Sequence, residues 1–180
     1  MNKLKTLLLT LSVCLLPLKS NAQDKKVMFK TGLSSSHQMH NELASYYPSL
    51  GLILGVDHML TKNLAFEYSI GKEIASSFDR ESSIVLTETN LGVNFKSNKE
   101  EKAGIYFGLG GKLNNIYEKK ELSELGANYF GGYLKAGLSW KLNENAISYL
   151  EAEYSLTHAH KYPVPGISNQ IKVTLGLGFK

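Results

Sequence analysis

Eight stretches of this chain place large apolar residues on every second position, and nothing else in the sequence constrains the fold as strongly. The last is the clearest: Ile171, Val173, Leu175, Leu177 and Phe179 alternate with Lys172, Thr174, Gly176 and Gly178. A β-strand turns successive side chains to opposite faces, so each stretch reads as a two-faced strand. The pattern predicts strands at roughly 26–34, 50–60, 64–74, 86–96, 103–113, 128–142, 147–157 and 169–179. One face carries residues such as Phe29, Leu52, Phe66, Leu91, Phe107, Leu134 and Leu150. The other carries Lys30, Asp57, Glu67, Glu88, Lys112, Lys135, Lys141, Glu151, Glu153 and Lys172, together with most of the glycines.

The connections alternate as well. Short turns are expected at Thr61-Lys62-Asn63, at Ser97 to Lys102 and at Asn143-Glu144-Asn145. Longer polar loops are expected at about 35–49, 75–85, 114–127 and 158–168. Eight strands with short turns at one end and long loops at the other define an all-β chain, an eight-stranded antiparallel up-and-down transmembrane β-barrel. A soluble lipocalin-like calyx that binds lipid is the alternative, with its apolar set turned inward. Three features favour the membrane. Glycine crowds the charged face, as a narrow interior requires. Acids and bases on that face balance, as pairs in a confined lumen must. Aromatics such as Phe29, Phe95, Trp140, Tyr154 and Phe179 fall toward strand ends, like interfacial girdles.

Residues 1–22 read as a cleaved signal peptide: Lys3 and Lys5, an apolar run from Leu7 to Leu18, then Ser20-Asn21-Ala22. Residues 23–180 form one domain. Removing the leader takes Lys3, Lys5 and Lys19 and no acid, so the formal charge falls from +4 to about +1. That leaves no basic patch for nucleic acid. Cys14 lies inside the leader and Val13 before it is bulky for a lipidation site, so the mature chain has neither cysteine nor disulfide. No later stretch is long and apolar enough for a membrane helix, which leaves a closed barrel as the route across a bilayer.

With its alternating strands and its closing VTLGLGFK, the chain resembles the small eight-stranded outer-membrane barrels of the OmpA/OmpX type and the outer membrane protein beta-barrel domain family. The resemblance covers the mature chain from Lys26 onward. It implies a bacterial outer-membrane location, contact with outer-membrane lipid and insertion by the barrel-insertion machinery. The row from Ile171 to Phe179 is the lipid-facing assembly strand, with Lys180 after the terminal aromatic residue as a departure. Termini and short turns are expected on the periplasmic side, long loops outside.

Four sets of residues are candidates for chemistry. Lys30, Asp57, Glu67, Glu88, Lys112, Lys135, Glu151, Glu153 and Lys172 form a lumen network, read as a plug rather than an ion path, since eight strands leave room for side chains only. The stretch THAHKYPVPGISN is similar to the signature of outer-membrane lipid A deacylases, with His158 at the catalytic histidine and Pro165-Gly166 in the later loop. His160 stands where that family has serine and cannot supply the same acyl-ester chemistry. His37, His40, His158 and His160 are a candidate metal set, if the first and last long loops meet over one rim. Tyr46, Tyr47, Phe78 and Tyr162 are candidate contacts for an extracellular ligand or partner. No nucleotide loop, HExxH or GxSxG occurs, and no cofactor is expected. The leading expectation is a non-enzymatic envelope protein that is structural or presents its loops. The alternatives are a deacylase-like enzyme using His158 and the calyx.

Overall fold

In a computed structural model, residues 27–40, 48–76, 82–97, 103–120, 123–159 and 166–180 are described. The leader therefore lies outside the described residues, as do Tyr46, Tyr47, Phe78, His160 and Tyr162. Eight strands close on one another in sequence order: β1 (Val27–His40), β2 (Ser49–Met59), β3 (Leu64–Ser76), β4 (Ser82–Lys96), β5 (Ala103–Lys120), β6 (Ser123–Lys141), β7 (Ala146–Ala159) and β8 (Gly166–Phe179). All neighbours are antiparallel, and β8 returns to β1 through pairs such as Phe29 with Phe179 and Leu33 with Leu175.

The register sets the shape. A row of directly paired residues runs from Asn128 through Asn115, Thr87, Lys72, Leu52, Leu33, Leu175 and Leu150 to Leu138. It leaves β6 at Asn128 and returns to β6 ten residues further along. For eight strands, that stagger inclines the strands by about 40° to the barrel axis. The outer surface carries exposed Phe29, Leu33, Leu52, Leu54, Phe107, Leu134, Leu175 and Phe179, a belt suited to the hydrocarbon of a bilayer. Phe29 with Phe179, and Phe95 with Phe107, pair at its lower edge, whereas Tyr154 stands within β7 rather than at its end.

Two short turns close the lower end in the same way. Thr61 Oγ1 accepts from the Leu64 amide at 3.0 Å, and Asn143 Oδ1 accepts from the Asn145 amide at 2.9 Å. Each polar side chain supplies a partner for backbone the turn would leave unpaired.

Lumen glycines make room for tyrosines. Tyr106 lies across Gly137, its register partner. Tyr149 lies across Gly176, and Gly32 pairs with Gly176 on the far side. Tyr133 lies across Gly110, which in turn pairs with Gly92. A bare strand surface under each ring is what lets a phenol fit in so narrow a cylinder.

The strands rise higher than the alternation predicted. The segments expected as loops at 75–85 and 114–127 are largely strand, and β5 and β6 stay paired up to Lys120 and Ser123. The reason is that the faces exchange polarity there. Leu86, Ile116, Tyr129 and Ala159 point inward and are buried together, with Ala127 packed against them. Ala75 and Ile84 form a second inward pair. Outward positions at this level include Thr87, Asn115 and Asn128. On β4–β7 the inside of the top is thus apolar and covers that side of the charged lumen. At the same level Ser36, Ser49 and Glu73 face inward from β1–β3, and Ile74 and Tyr117 face outward.

Two outcomes test this architecture. Leu175→Arg should lower stability in lipid by about 2–4 kcal/mol, the cost of a cation near the bilayer midplane, measured by urea unfolding in vesicles. Gly110→Ala and Gly111→Ala should differ sharply although they are neighbours. A Cβ at Gly110 would collide with the Leu91 carbonyl and stand 2.6 Å from the Gly92 Cα, whereas at Gly111 its nearest neighbour is 3.9 Å away. The first should cost about 1–3 kcal/mol and the second less than about 0.5 kcal/mol, by the same unfolding assay.

Candidate functional site

Strand parity brings all nine charged residues of the expected lumen network to the inside, and each is buried. They form two clusters. In the lower one, Lys135 Nζ lies 2.5 Å from Glu67 and 3.0 Å from Glu151. Lys30 stands 3.6–3.9 Å from Glu151, Glu67 and Asp57, with its ammonium 4.7 Å above the Tyr149 ring. Lys96 reaches Asp57 from the lower rim at 2.7 Å, Asn94 donates to Glu67, and Tyr106 donates to Glu151 at 2.9 Å. In the upper cluster, Lys112 pairs with Glu153 at 2.6 Å and Glu88 at 2.9 Å. Lys172 pairs with Glu88 and lies 3.3 Å from Glu153. Each of the four lumen lysines, Lys30, Lys112, Lys135 and Lys172, thus faces at least two carboxylates, which is the arrangement that makes buried charge tolerable.

A third group escaped the sequence reading. Glu73 is fully buried, and among the described residues no ammonium stands within ion-pair distance of it. Three hydroxyls hold it instead: Ser34 donates at 2.6 Å, Ser36 at 2.5 Å and Ser49 at 2.5 Å. Gln170 links this group to the upper cluster, donating to Ser36 at 2.7 Å and accepting from Lys112 at 3.0 Å. The signal was available, because Glu73 shares parity with Glu67. Lys141, expected in the lumen, is exposed at the end of β6, where the wall no longer encloses it.

These contacts fill the interior. A void of about 10 Å³ among Lys30, Glu67, Ser69, Tyr149, Glu151 and Lys172 has room for roughly one water. Such a lumen supports ion pairing rather than passage of solute.

The histidines are dispersed. His158 is outward and exposed, with Phe130 and Ile167 as its register partners. Neither can act as a nucleophile. His37 is outward on β1 opposite Ile171, which pairs on its other side with Tyr154. His37 and His158 therefore stand two strands apart and are offset by four residues, about 16 Å by strand geometry. That exceeds the reach of two imidazoles on one ion. His40 lies on the β1 backbone at a register irregularity, and His58 falls at the opposite, short-turn end. Among the described residues, no three histidine, cysteine or acidic side chains are grouped to hold a metal.

No family model matches the chain, and no curated protein does. Solved structures do. Neisserial surface protein A is 10% identical, with a TM-score of 0.69 over 88% of this chain and 99% of its own. OprG of Pseudomonas aeruginosa is 12% identical, with a TM-score of 0.62 over 87% and 96%. Ail, the attachment invasion locus protein of Yersinia pestis, is 13% identical, with a TM-score of 0.59 over 87% and 99%. The fold is that of a small outer-membrane barrel. At these identities the likeness stops at the fold.

The lumen network has a direct test. Lys135→Met leaves Glu67 and Glu151 short of a partner in a closed interior, and should cost about 3–5 kcal/mol in a urea titration of the lipid-embedded protein. The double variant Lys135→Met/Glu67→Gln should recover part of that loss, because it removes the unpaired charge with its partner.

Proposed function

We propose that this chain is a non-enzymatic protein of the bacterial outer membrane, a member of the outer membrane protein beta-barrel domain family, that uses a sealed barrel to hold its outer strands and loops above the lipid. The observation that carries this reading is the packed interior: two ion-paired clusters, with an apolar cluster above them on β4–β7 and the Glu73–serine group on β1–β3. An eight-stranded barrel with its lumen packed by ion pairs is a support, not a conduit. The tall β4–β5–β6 sheet above the belt supports the presenting role, since strands held rigid by pairing carry a binding surface more accurately than free loops. The barrel-insertion machinery is the proposed partner of the alternating β8 strand, and an extracellular partner is proposed for the outer loops.

The setting of His158 between Phe130 and Ile167 lends the deacylase reading no support. One experiment separates the readings. Purified protein in a planar bilayer should give no conductance above background, and lipid A from outer membranes with and without the protein should have the same acyl composition by mass spectrometry. A stable conductance would overturn the sealed barrel. Loss of an acyl chain that depends on His158 would make the protein an enzyme.

A further inference from the structure

The outward face carries one polar row whose position invites a ligand. On β3, β4, β5 and β6, Lys72 pairs with Thr87, Thr87 with Asn115, and Asn115 with Asn128. All four side chains face away from the lumen, and Lys72, Thr87 and Asn128 are exposed. The row directly below is Ile70, Thr89, Leu113 and Phe130, and the row above holds Ile74, Val85 and Tyr117. A cation and three hydrogen-bonding side chains are therefore framed by rows that are apolar except for Thr89.

The height of this row fixes what it meets. Lys72 stands eight residues above Leu64, Thr87 eight above Phe95, and Asn115 eight above Phe107, and those three lower residues pair in one row. Eight residues on strands inclined by about 40° rise about 20 Å. Because the strands are inclined, the row itself climbs about 9 Å from Lys72 to Asn128. With an apolar belt about 25 Å tall, it crosses the belt's upper edge, where acyl chains end and headgroups begin, with Lys72 lowest. Lys72 has no ion-pair partner among the described residues, unlike the lumen lysines. Its charge is available to an anion outside the barrel.

Resting on the outer-membrane reading above, we infer that Lys72, Thr87, Asn115 and Asn128 form a docking surface for a phosphorylated glycolipid of the outer leaflet. The ammonium of Lys72 takes a phosphate. The threonine hydroxyl and the two amides take sugar hydroxyls across about 14 Å, the width of four adjacent strands. Ile70, Leu113 and Phe130 receive the acyl chains below. Tyr117, 40% exposed on the row above, offers a ring to the apolar face of a sugar. The surface is continuous with the lipid-facing belt and complementary in charge to a phosphate. A simple anionic phospholipid would use the lysine and leave the amides idle.

The test titrates detergent-solubilised, folded protein with diphosphorylated lipid A, dephosphorylated lipid A or phosphatidylglycerol, and counts bound lipid by native mass spectrometry. Folding of every variant is checked by its heat-modifiable gel mobility. Wild type should retain diphosphorylated lipid A best. Lys72→Gln should weaken that lipid about tenfold, the scale of one charged hydrogen bond, and leave the dephosphorylated form unchanged. Asn115→Leu should weaken both forms of lipid A and spare phosphatidylglycerol. Lys62→Gln, at the opposite end of the barrel, should change nothing. Equal retention of phosphatidylglycerol, or indifference of lipid A to Lys72→Gln in a folded variant, would overturn the inference. Neither result touches the sealed-barrel reading, which the conductance measurement decides on its own.

Discussion

A backbone amide left unpaired in hydrocarbon costs several kcal/mol, so a sheet that enters a bilayer has to close on itself. Everything else in this molecule follows from that closure. Pairing β8 with β1 removes the free edges, and doing so with eight strands staggered by ten residues sets a narrow, inclined cylinder. A narrow cylinder has more wall than volume. Its inward side chains must be small, or must share space, and any charge they carry must be answered within a few ångströms.

The interior solves those demands with two devices. Glycines of neighbouring strands are laid side by side and a tyrosine is spread over them, so that Tyr106, Tyr133 and Tyr149 occupy room that any Cβ would take. Lysines and carboxylates are then interleaved so that Lys30, Lys112, Lys135 and Lys172 each touch more than one acid. Glu73 shows the alternative, a carboxylate held by hydroxyls, where the three serines of β1 and β2 converge on β3. The two devices depend on one another. Tyrosines without glycines would not fit, and a lumen without them would admit water and weaken the pairs.

Parity alone was enough to read strand number, topology and most of the buried ions, though not Glu73, because lipid outside and a confined polar lumen inside impose the same sign on every strand of the belt. Lys30, Glu88 and Lys172 could not have been elsewhere. The reading lost its footing where that sign reverses. Above the belt, water replaces lipid, so Leu86 and Ile116 turn inward on the same parity as Glu88 and Lys112. A polar outer face then looks like a loop although its backbone is paired. Histidine separation was also beyond sequence reach, since it depends on how far one strand slides past the next. His37 and His158 share a rim in topology and stand far apart in register.

The apolar lid of Leu86, Ile116, Tyr129 and Ala159 has a consequence for the charges beneath it. Mobile ions weaken a pair only if they can approach within about a Debye length through water, and close-packed aliphatic and aromatic side chains give them no path. With lipid around the wall and this cluster above the β4–β7 side, the lumen lysines and carboxylates are shielded from the salinity of the surroundings on those sides. The ion pairs beneath that cluster therefore depend less on external salt than pairs on an open surface would.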